Sequence, residues 1–187
     1  MTTISPFLDR KLARRFRTYD SDGSGYLERS DFESAANRMS DEFGLAADDP
    51  ARGRLVELCV GLWEHLLAVA DSDGDGRITE SEYKSAFSRG LLETEDSFDA
   101  GYMPFLDAIM AVADTDGDGR LTADDHVRWT GSLMNLPEAD AREIHRRLDA
   151  DGDGHVTTAD LLAAIRAYYF DERPDSAGSW LLGPLDS

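Results

Sequence analysis

Apolar positions recur along this chain at helical spacing, and short polar runs dense in Asp and Gly interrupt them. Leu8, Leu12, Phe16 and Tyr19 form the first such stripe, behind a Ser5-Pro6 start in which serine caps and proline suits the first turn. Phe32, Ala35, Met39 and Phe43 predict a second helix that runs out near Gly44, and residues 44–50 read as a linker. Pro50 opens a third, with Leu55, Cys59, Leu62, Leu66 and Val69 as its stripe and Trp63 and His65 flanking it. Tyr83, Ala86 and Phe87 predict a fourth helix stopped at Gly90, followed by an acidic connection over residues 91–101. Pro104 marks the start of a helix carrying Phe105, Ile109, Met110 and Val112. Val127 and Leu133 mark the next, and Asn135-Leu136-Pro137 makes a turn. Ile144 and Leu148 belong to a short helix, and Leu161, Leu162, Ile165, Tyr168 and Tyr169 to the last.

The polar runs between these helices share one grammar. Residues 71–82 read DSDGDGRITESE, with acids at Asp71, Asp73 and Asp75, a glycine at Gly76 and a closing Glu82. That is the twelve-residue calcium loop of an EF-hand. A hard cation wants six to eight oxygens, so carboxylates at loop positions 1, 3 and 5 must converge, which requires a sharp turn after them. Gly76 permits that turn. The Arg77 carbonyl would face the ion, Thr79 would act directly or through water, and Glu82 would close the shell with both oxygens. Residues 114–125 offer Asp114, Asp116, Asp118, Arg120, Thr122 and Asp125 in the same places, and residues 149–160 offer Asp149, Asp151, Asp153, His155, Thr157 and Asp160. Residues 20–31 depart furthest, with Asp20, Asp22, the hydroxyl of Ser24, Tyr26, Glu28 at position 9 and Asp31. An aliphatic residue stands at position 8 of every loop (Leu27, Ile78, Leu121, Val156), which suits a short strand contact between paired loops.

The predicted fold is therefore all-α: four EF-hands in two pairs forming one compact globule, with two-residue strand contacts between paired loops. Residues 1–92 are expected to hold the first pair, 93–170 the second, and 171–187 a tail that docks back on the body. Only the second loop ends in Glu. Aspartate is one methylene shorter, and one-oxygen contact suits the octahedral shell of Mg²⁺, so Mg²⁺ is expected to compete with Ca²⁺ at the three loops ending in Asp.

Composition narrows the partners. With 38 acidic residues against 19 basic and a formal charge of -19, the chain disfavours nucleic acid and anionic membranes and favours cations. Arg10, Lys11, Arg14, Arg15 and Arg17 crowd the first helix and read as a solvated face offsetting the acidic body. Cys59 is the single cysteine, so no internal disulfide forms, and its place on an apolar stripe predicts a core thiol. The opening MTTISPFLDRKLARRF has no apolar core ahead of its charges, and no apolar run reaches the length of a membrane span, so a cytoplasmic location is expected. The DGDG segments cannot cradle phosphate, since carboxylates repel it and no Gly-Lys-Ser/Thr follows. With no nucleophile motif either, an enzyme is not expected.

The spacing between loops shortens along the chain, from a long first gap, and the tail YYFDERPDSAGSWLLGPL follows the last helix. In both respects the chain resembles the sarcoplasmic calcium-binding protein family, with its calexcitin and calerythrin branches. The resemblance implies an intracellular Ca²⁺ buffer or transporter, and a Ca²⁺ sensor acting on a partner protein is the alternative. Dockerins also use aspartate-rich loops, but they lack the helix that here enters each one. Photoproteins of the same fold hold a chromophore with His, Trp and Tyr groups; Trp63, Trp129 and Trp180 supply no assignable set. A sensor exposes a Met-rich groove, whereas this chain has only Met39, Met103, Met110 and Met134 after the initiator. Trp180, Leu181, Leu182 and Leu185 instead predict a tail that fills an apolar cleft between the halves. A monomer is expected, with no identifiable protein target.

Overall fold

The computed structural model describes residues 4–90, 98–174 and 176–185. Helix α1 (Pro6–Tyr19) begins at Ser5, whose Oγ accepts the Leu8 N–H at 3.2 Å. Strand β1 (Tyr26–Leu27) and helix α2 (Arg29–Glu42) complete the first hand. Helix α3 (Pro50–Ala70), capped by Asp49, strand β2 (Ile78–Thr79) and helix α4 (Glu80–Ser88) form the second. Helix α5 (Phe98–Ala113), strand β3 (Arg120–Leu121) and helix α6 (Ala123–Met134) form the third. Helix α7 (Glu138–Leu148), strand β4 (Val156–Thr157) and helix α8 (Thr158–Phe170) form the fourth.

The hands join in two pairs. β1 runs antiparallel to β2 with Leu27 opposite Ile78, and β3 antiparallel to β4 with Leu121 opposite Val156. All four aliphatic residues are fully buried, so each strand contact is also a core contact. The pairs then pack on each other, α2 against α6, α3 against α5 and α1 against α8. A single buried apolar cluster runs through both, from Leu12 and Phe16 to Ile144 and Tyr168.

Several expectations need correction. The buried stripe of α3 is Leu55, Cys59, Trp63, Leu66 and Ala70, while Leu62 and Val69 are only half-buried. Trp63 wins the inward place because its ring meets Phe32, centroids 5.7 Å apart. On α6 Leu133 is buried as expected, together with Asp125, His126, Trp129 and Thr130, while Val127 is half-buried. The connection after α4 is shorter than residues 91–101, since α5 already begins at Phe98; residues 91–97 lie outside the described residues. Pro104 sits inside α5 rather than at its start. It removes one ladder hydrogen bond there, but Pro104 and Ala100 are both exposed, so water can serve the freed carbonyl.

The basic face of α1 is the largest departure. Lys11 is 1% exposed and Arg15 9%. Lys11 Nζ donates to the carbonyls of Tyr168 at 2.9 Å and Asp171 at 2.6 Å, tying α1 to the end of α8, and Tyr168 donates back to the Lys11 carbonyl. Burial pushes the Lys11 ammonium down to about 8, against the pull of Asp171 and Glu172. Arg14 Nε donates to the Leu182 carbonyl at 2.6 Å. Lys11 and Arg14 thus satisfy backbone acceptors from the far end of the chain, Arg15 is buried, and only Arg10 and Arg17 face water as expected.

Leu182 belongs to a tail segment built on the 3₁₀ turn Ala177–Trp180, which packs on α8 and α7. Leu182 is 1% exposed. Gly178 makes the approach feasible: a Cβ there would stand 2.5 Å from the Ala167 and Tyr168 backbone. Ser179 Oγ donates to Pro174 and Ser176 carbonyls, both at 2.7 Å, and the Arg147 guanidinium lies 4.2 Å from the Trp180 ring centroid.

Candidate metal centres

Each Asp-rich loop sits between an entering and an exiting helix, and its first and last acids are fixed by those helices. Asp20, Asp71 and Asp149 are the C-caps of α1, α3 and α7. Position 9 is the N-cap of the exiting helix, occupied by Glu28, Thr79, Thr122 and Thr157, and position 12 is its third residue. The loop is thus a clasp whose two ends are held about one turn into rigid elements.

Inside the clasp the turn is made by glycine, with Gly76 at φ 83° and Gly74 at φ 75° in the second loop. The position-4 glycines, such as Gly74, were not singled out by the sequence reading. The position-1 carboxylates accept the backbone N–H groups that this turn presents. Asp20 accepts from Ser24 at 2.9 Å and Gly25 at 3.0 Å, and Asp71 from Gly74 at 2.8 Å and Gly76 at 3.1 Å. Asp114 accepts from Gly117 and Gly119, both at 2.8 Å, and Asp149 from Asp153 at 3.0 Å and Gly154 at 2.9 Å. At position 5, Asp75, Asp118 and Asp153 each accept the position-7 N–H at 2.8–2.9 Å. Ser24 Oγ accepts the position-7 N–H of Tyr26 more loosely, at 3.4 Å, and also donates to the Tyr26 carbonyl at 3.1 Å, the oxygen expected to face the ion.

The loops bring carboxylates together in two ways. In the first and second, one oxygen from each of Asp20, Asp22 and Asp31, and of Asp71, Asp73 and Glu82, lie within 4.8 Å of one another. In the third and fourth the converging trios are Asp114, Asp116 and Asp118, and Asp149, Asp151 and Asp153. In the last three loops the closing acid also leans on the N-cap hydroxyl: Glu82 Oε2 accepts from Thr79 at 2.9 Å, and Asp125 Oδ2 from Thr122 and Asp160 Oδ2 from Thr157 at 2.6 Å each. Three anionic carboxylates so close repel unless a cation or protons neutralise them. A hard divalent ion with oxygen preference fits this donor set, which offers no sulfur or imidazole.

The closing acids differ in environment. Glu82 accepts Thr79 N–H and Ser72 N–H at 3.0 Å each; the Thr79 bond, working against desolvation and helped by Ser72, holds its carboxyl down at about 2. Asp31 accepts Glu28 N–H at 2.9 Å and Ser21 N–H at 3.2 Å, yet burial still pushes its carboxyl up. Loop position 2 (Ser21, Ser72, Thr115) therefore serves position 12, a role absent from the spacing argument.

Position 7 has a second part to play. The strand register carries Glu28 opposite Arg77, and their side chains pair at 2.8 Å, so Glu28 is directed across the pair. Arg77 also lies 5.5 Å from the Tyr26 ring centroid. In the other pair Arg120 faces Thr157 and turns to acids instead: Asp118 at 2.9 Å and Asp153 at 3.2 Å. Against a desolvation penalty, that guanidinium holds the Asp118 carboxyl below its usual range. His155 turns its Nδ1 back to the Asp153 carbonyl at 3.1 Å. Away from the loops, His126 and His145 come together with ring centroids 5.6 Å apart, and burial with the neighbouring His145 holds His126 down at about 3. Cys59 is buried and its thiol is pushed up to about 12 by desolvation, as a core thiol should be.

Known proteins share this arrangement. An EF-hand domain-pair model matches residues 9–88, and an EF-hand model matches residues 106–125. Calerythrin from Saccharopolyspora erythraea is 30% identical over 161 residues, which are 86% of this chain and 90% of that protein. A Streptomyces coelicolor calcium-binding protein, whose solved structure is described as the structural basis for prokaryotic calcium-mediated regulation, is 37% identical. It superposes with a TM-score of 0.75 over 95% of this chain and 99% of that one. A sarcoplasmic calcium-binding protein from amphioxus, 16% identical with a TM-score of 0.75 over 97% and 99% of the two chains, shares the fold.

Proposed function

Since the chain belongs to the EF-hand calcium-binding proteins of the calerythrin and sarcoplasmic calcium-binding protein type, we propose that it works as a Ca²⁺ buffer or transporter with up to four loaded loops. It is a calcium-binding protein and not an enzyme, like its relatives. The ligands in each loop are the residues at positions 1, 3, 5, 7, 9 and 12 named above, with Glu28 the one directed elsewhere. The observation that carries the buffer reading is the buried tail. Leu181 and Leu182 stand against the apolar interior, 9% and 1% exposed, where a sensor would receive a partner's helix. A chain whose own tail occupies that seat leaves no room there for a partner's helix when calcium arrives.

The test is dye binding by the full chain with calcium and with chelator, beside a chain ending at Pro174. The buffer reading expects no calcium-dependent rise in the full chain and a clear rise, with lower stability, after truncation. A calcium-dependent rise in the intact chain would sink it. The sensor reading draws on the regulatory role described for the Streptomyces coelicolor protein, and a partner captured from extract with calcium but not with chelator would favour it. Mg²⁺ is proposed to compete at the loops closed by Asp31, Asp125 and Asp160, which site-resolved titration with and without magnesium would reveal. Equal magnesium insensitivity at all four loops would refute that assignment. Among the described residues no helix is long and apolar enough to cross a membrane. The reading assigns the protein to the cytoplasm, as a monomer.

A further inference from the structure

The interior holds a cation with no anion. Arg15 is 9% exposed, and its Nε has no hydrogen-bond partner. Its Nη1 reaches only the Met134 sulfur, at 3.7 Å, and its guanidinium carbon lies 4.4 Å from the Tyr19 ring centroid. Among the described residues no carboxylate pairs with it. The acids nearest in the surrounding walls are engaged elsewhere: Asp31 by Ser21 and Glu28, Glu57 by Arg54 at 2.8 Å, and Glu64 by Arg29 at 3.7 Å. A guanidinium does not shed its proton at any ordinary pH, so burial leaves the charge in place. Burying a charge without a partner costs several kcal/mol, of which a ring face and a thioether return only part.

The space around Arg15 is shaped for a ligand. An inner cavity of about 60 Å³ is walled by residues such as Phe32, Leu106, Trp129 and Leu182. It adjoins a cleft of about 840 Å³ between α3 and α5, floored by Leu58, Leu62, Phe98 and Phe105. Arg15, Leu62, Tyr102 and Phe105 line both. The cleft volume falls within the range of small-molecule sites, roughly 300–1,000 Å³. Its walls are mostly carbon; Glu57 and Arg54 line it as a pair and Glu64 is held by Arg29, which leaves Arg15 as the lining guanidinium without an ionic partner among the described residues.

We propose that this cleft binds a small organic carboxylate with an apolar body, the carboxylate meeting the Nε edge of Arg15 and the body lying along Leu58, Leu62 and Phe105. The planar guanidinium fork matches a carboxylate, and Nη1 is already turned to Met134, which leaves the Nε edge for the ligand. The apolar floor supplies the affinity and the guanidinium the selection for charge. The site is separate from the calcium loops and does not depend on the buffer reading.

Calorimetric titration of the calcium-loaded full chain with decanoate and with decanol tests it. Decanoate is expected to bind one to one and at least about tenfold more tightly than decanol, ~1.4 kcal/mol. In Arg15→Met the two probes should bind alike. That variant is expected to stay folded, because exchanging a buried unpaired charge for an apolar chain is often neutral or stabilising. If it does not fold, Arg15→Lys keeps the charge but loses the fork and should lower the decanoate preference. Equal affinity for the two probes in the native chain, binding of neither, or an undiminished decanoate preference in the folded variant would each overturn the proposal.

Discussion

The two loop pairs share register, turn and buried position-8 residues, yet they spend their acids differently. In the amino-terminal pair the strand register sets Glu28 opposite Arg77, and the arginine takes an acid outside the converging trio. In the carboxy-terminal pair the residue opposite Arg120 is Thr157, which offers no charge, so Arg120 draws on Asp118 and Asp153, both members of the trios. One guanidinium thus partly neutralises both carboxy-terminal sites before an ion arrives, while the second loop keeps its trio for the ion. Position 9 of one loop tunes the ligands of its partner, and a motif read loop by loop misses this coupling.

The largest expected effect lies at the closing acids. Glu82 is in the converging trio and Asp160 is not. Glu82→Ala should lower calcium affinity at the second loop by at least about 100-fold, more than a lost outer partner costs a metal site. Asp160→Ala should cost the fourth loop clearly less. Site-resolved titration followed by NMR checks both, and equal losses would erase the distinction between the pairs. Next in size is Asp125→Glu, which extends the third loop's closing acid toward two-oxygen contact. It should favour Ca²⁺ over Mg²⁺ there by roughly tenfold, ~1.4 kcal/mol. Asp125 is 8% exposed, so the added methylene must be accommodated, and a melting temperature measured alongside shows whether it is. Smaller still is the exchange at position 9. Thr157→Glu gives Arg120 a new partner and should strengthen calcium binding in the carboxy-terminal pair by a factor of about two to five, the scale of an exposed ion pair. Glu28→Thr should release Arg77 toward Asp75 and weaken the second loop by a similar factor. The same titrations in high salt should shrink both effects.

The loops were legible because their ligands are set by spacing within twelve residues, where chain geometry leaves little choice. Strand pairing followed from one aliphatic residue per loop. What escaped was whatever depends on a distant neighbour. The face of α3 turned by one residue toward Trp63 because Phe32 waits there, and no periodicity in α3 alone contains Phe32. Lys11 and Arg14 of α1 read as solvated because their acceptors, the carbonyls of Tyr168, Asp171 and Leu182, lie at the other end of the sequence. The tail's apolar residues were legible as a surface needing cover, but its seat depends on Gly178 meeting the α8 backbone. Glu28, expected as a ligand from its loop position, has a second partner in Arg77 that only the register between loops brings beside it.

The smallest expected effect concerns how the pairs are fastened. Lys11 belongs to the amino-terminal pair and holds the end of α8, so one of the ties between pairs runs through a buried ammonium, beside those of Arg38 to the Ser132 carbonyl and Arg128 to Glu42. Burial lowers the Lys11 ammonium from 10.5 to about 8 in the folded chain. Between those values the unfolded chain holds a proton that the folded chain has released, and stability rises with pH wherever the unfolded state binds more protons. This contribution is therefore complete above pH 10.5 and is lost as pH falls toward 8. Its slope cannot exceed ~1.4 kcal/mol per pH unit. The calcium-loaded protein should gain melting temperature relative to Lys11→Met between pH 8 and 9.5, a range in which free carboxylates do not titrate. If the difference between the two proteins stays flat or shrinks with rising pH, the ammonium is not desolvated in the folded chain.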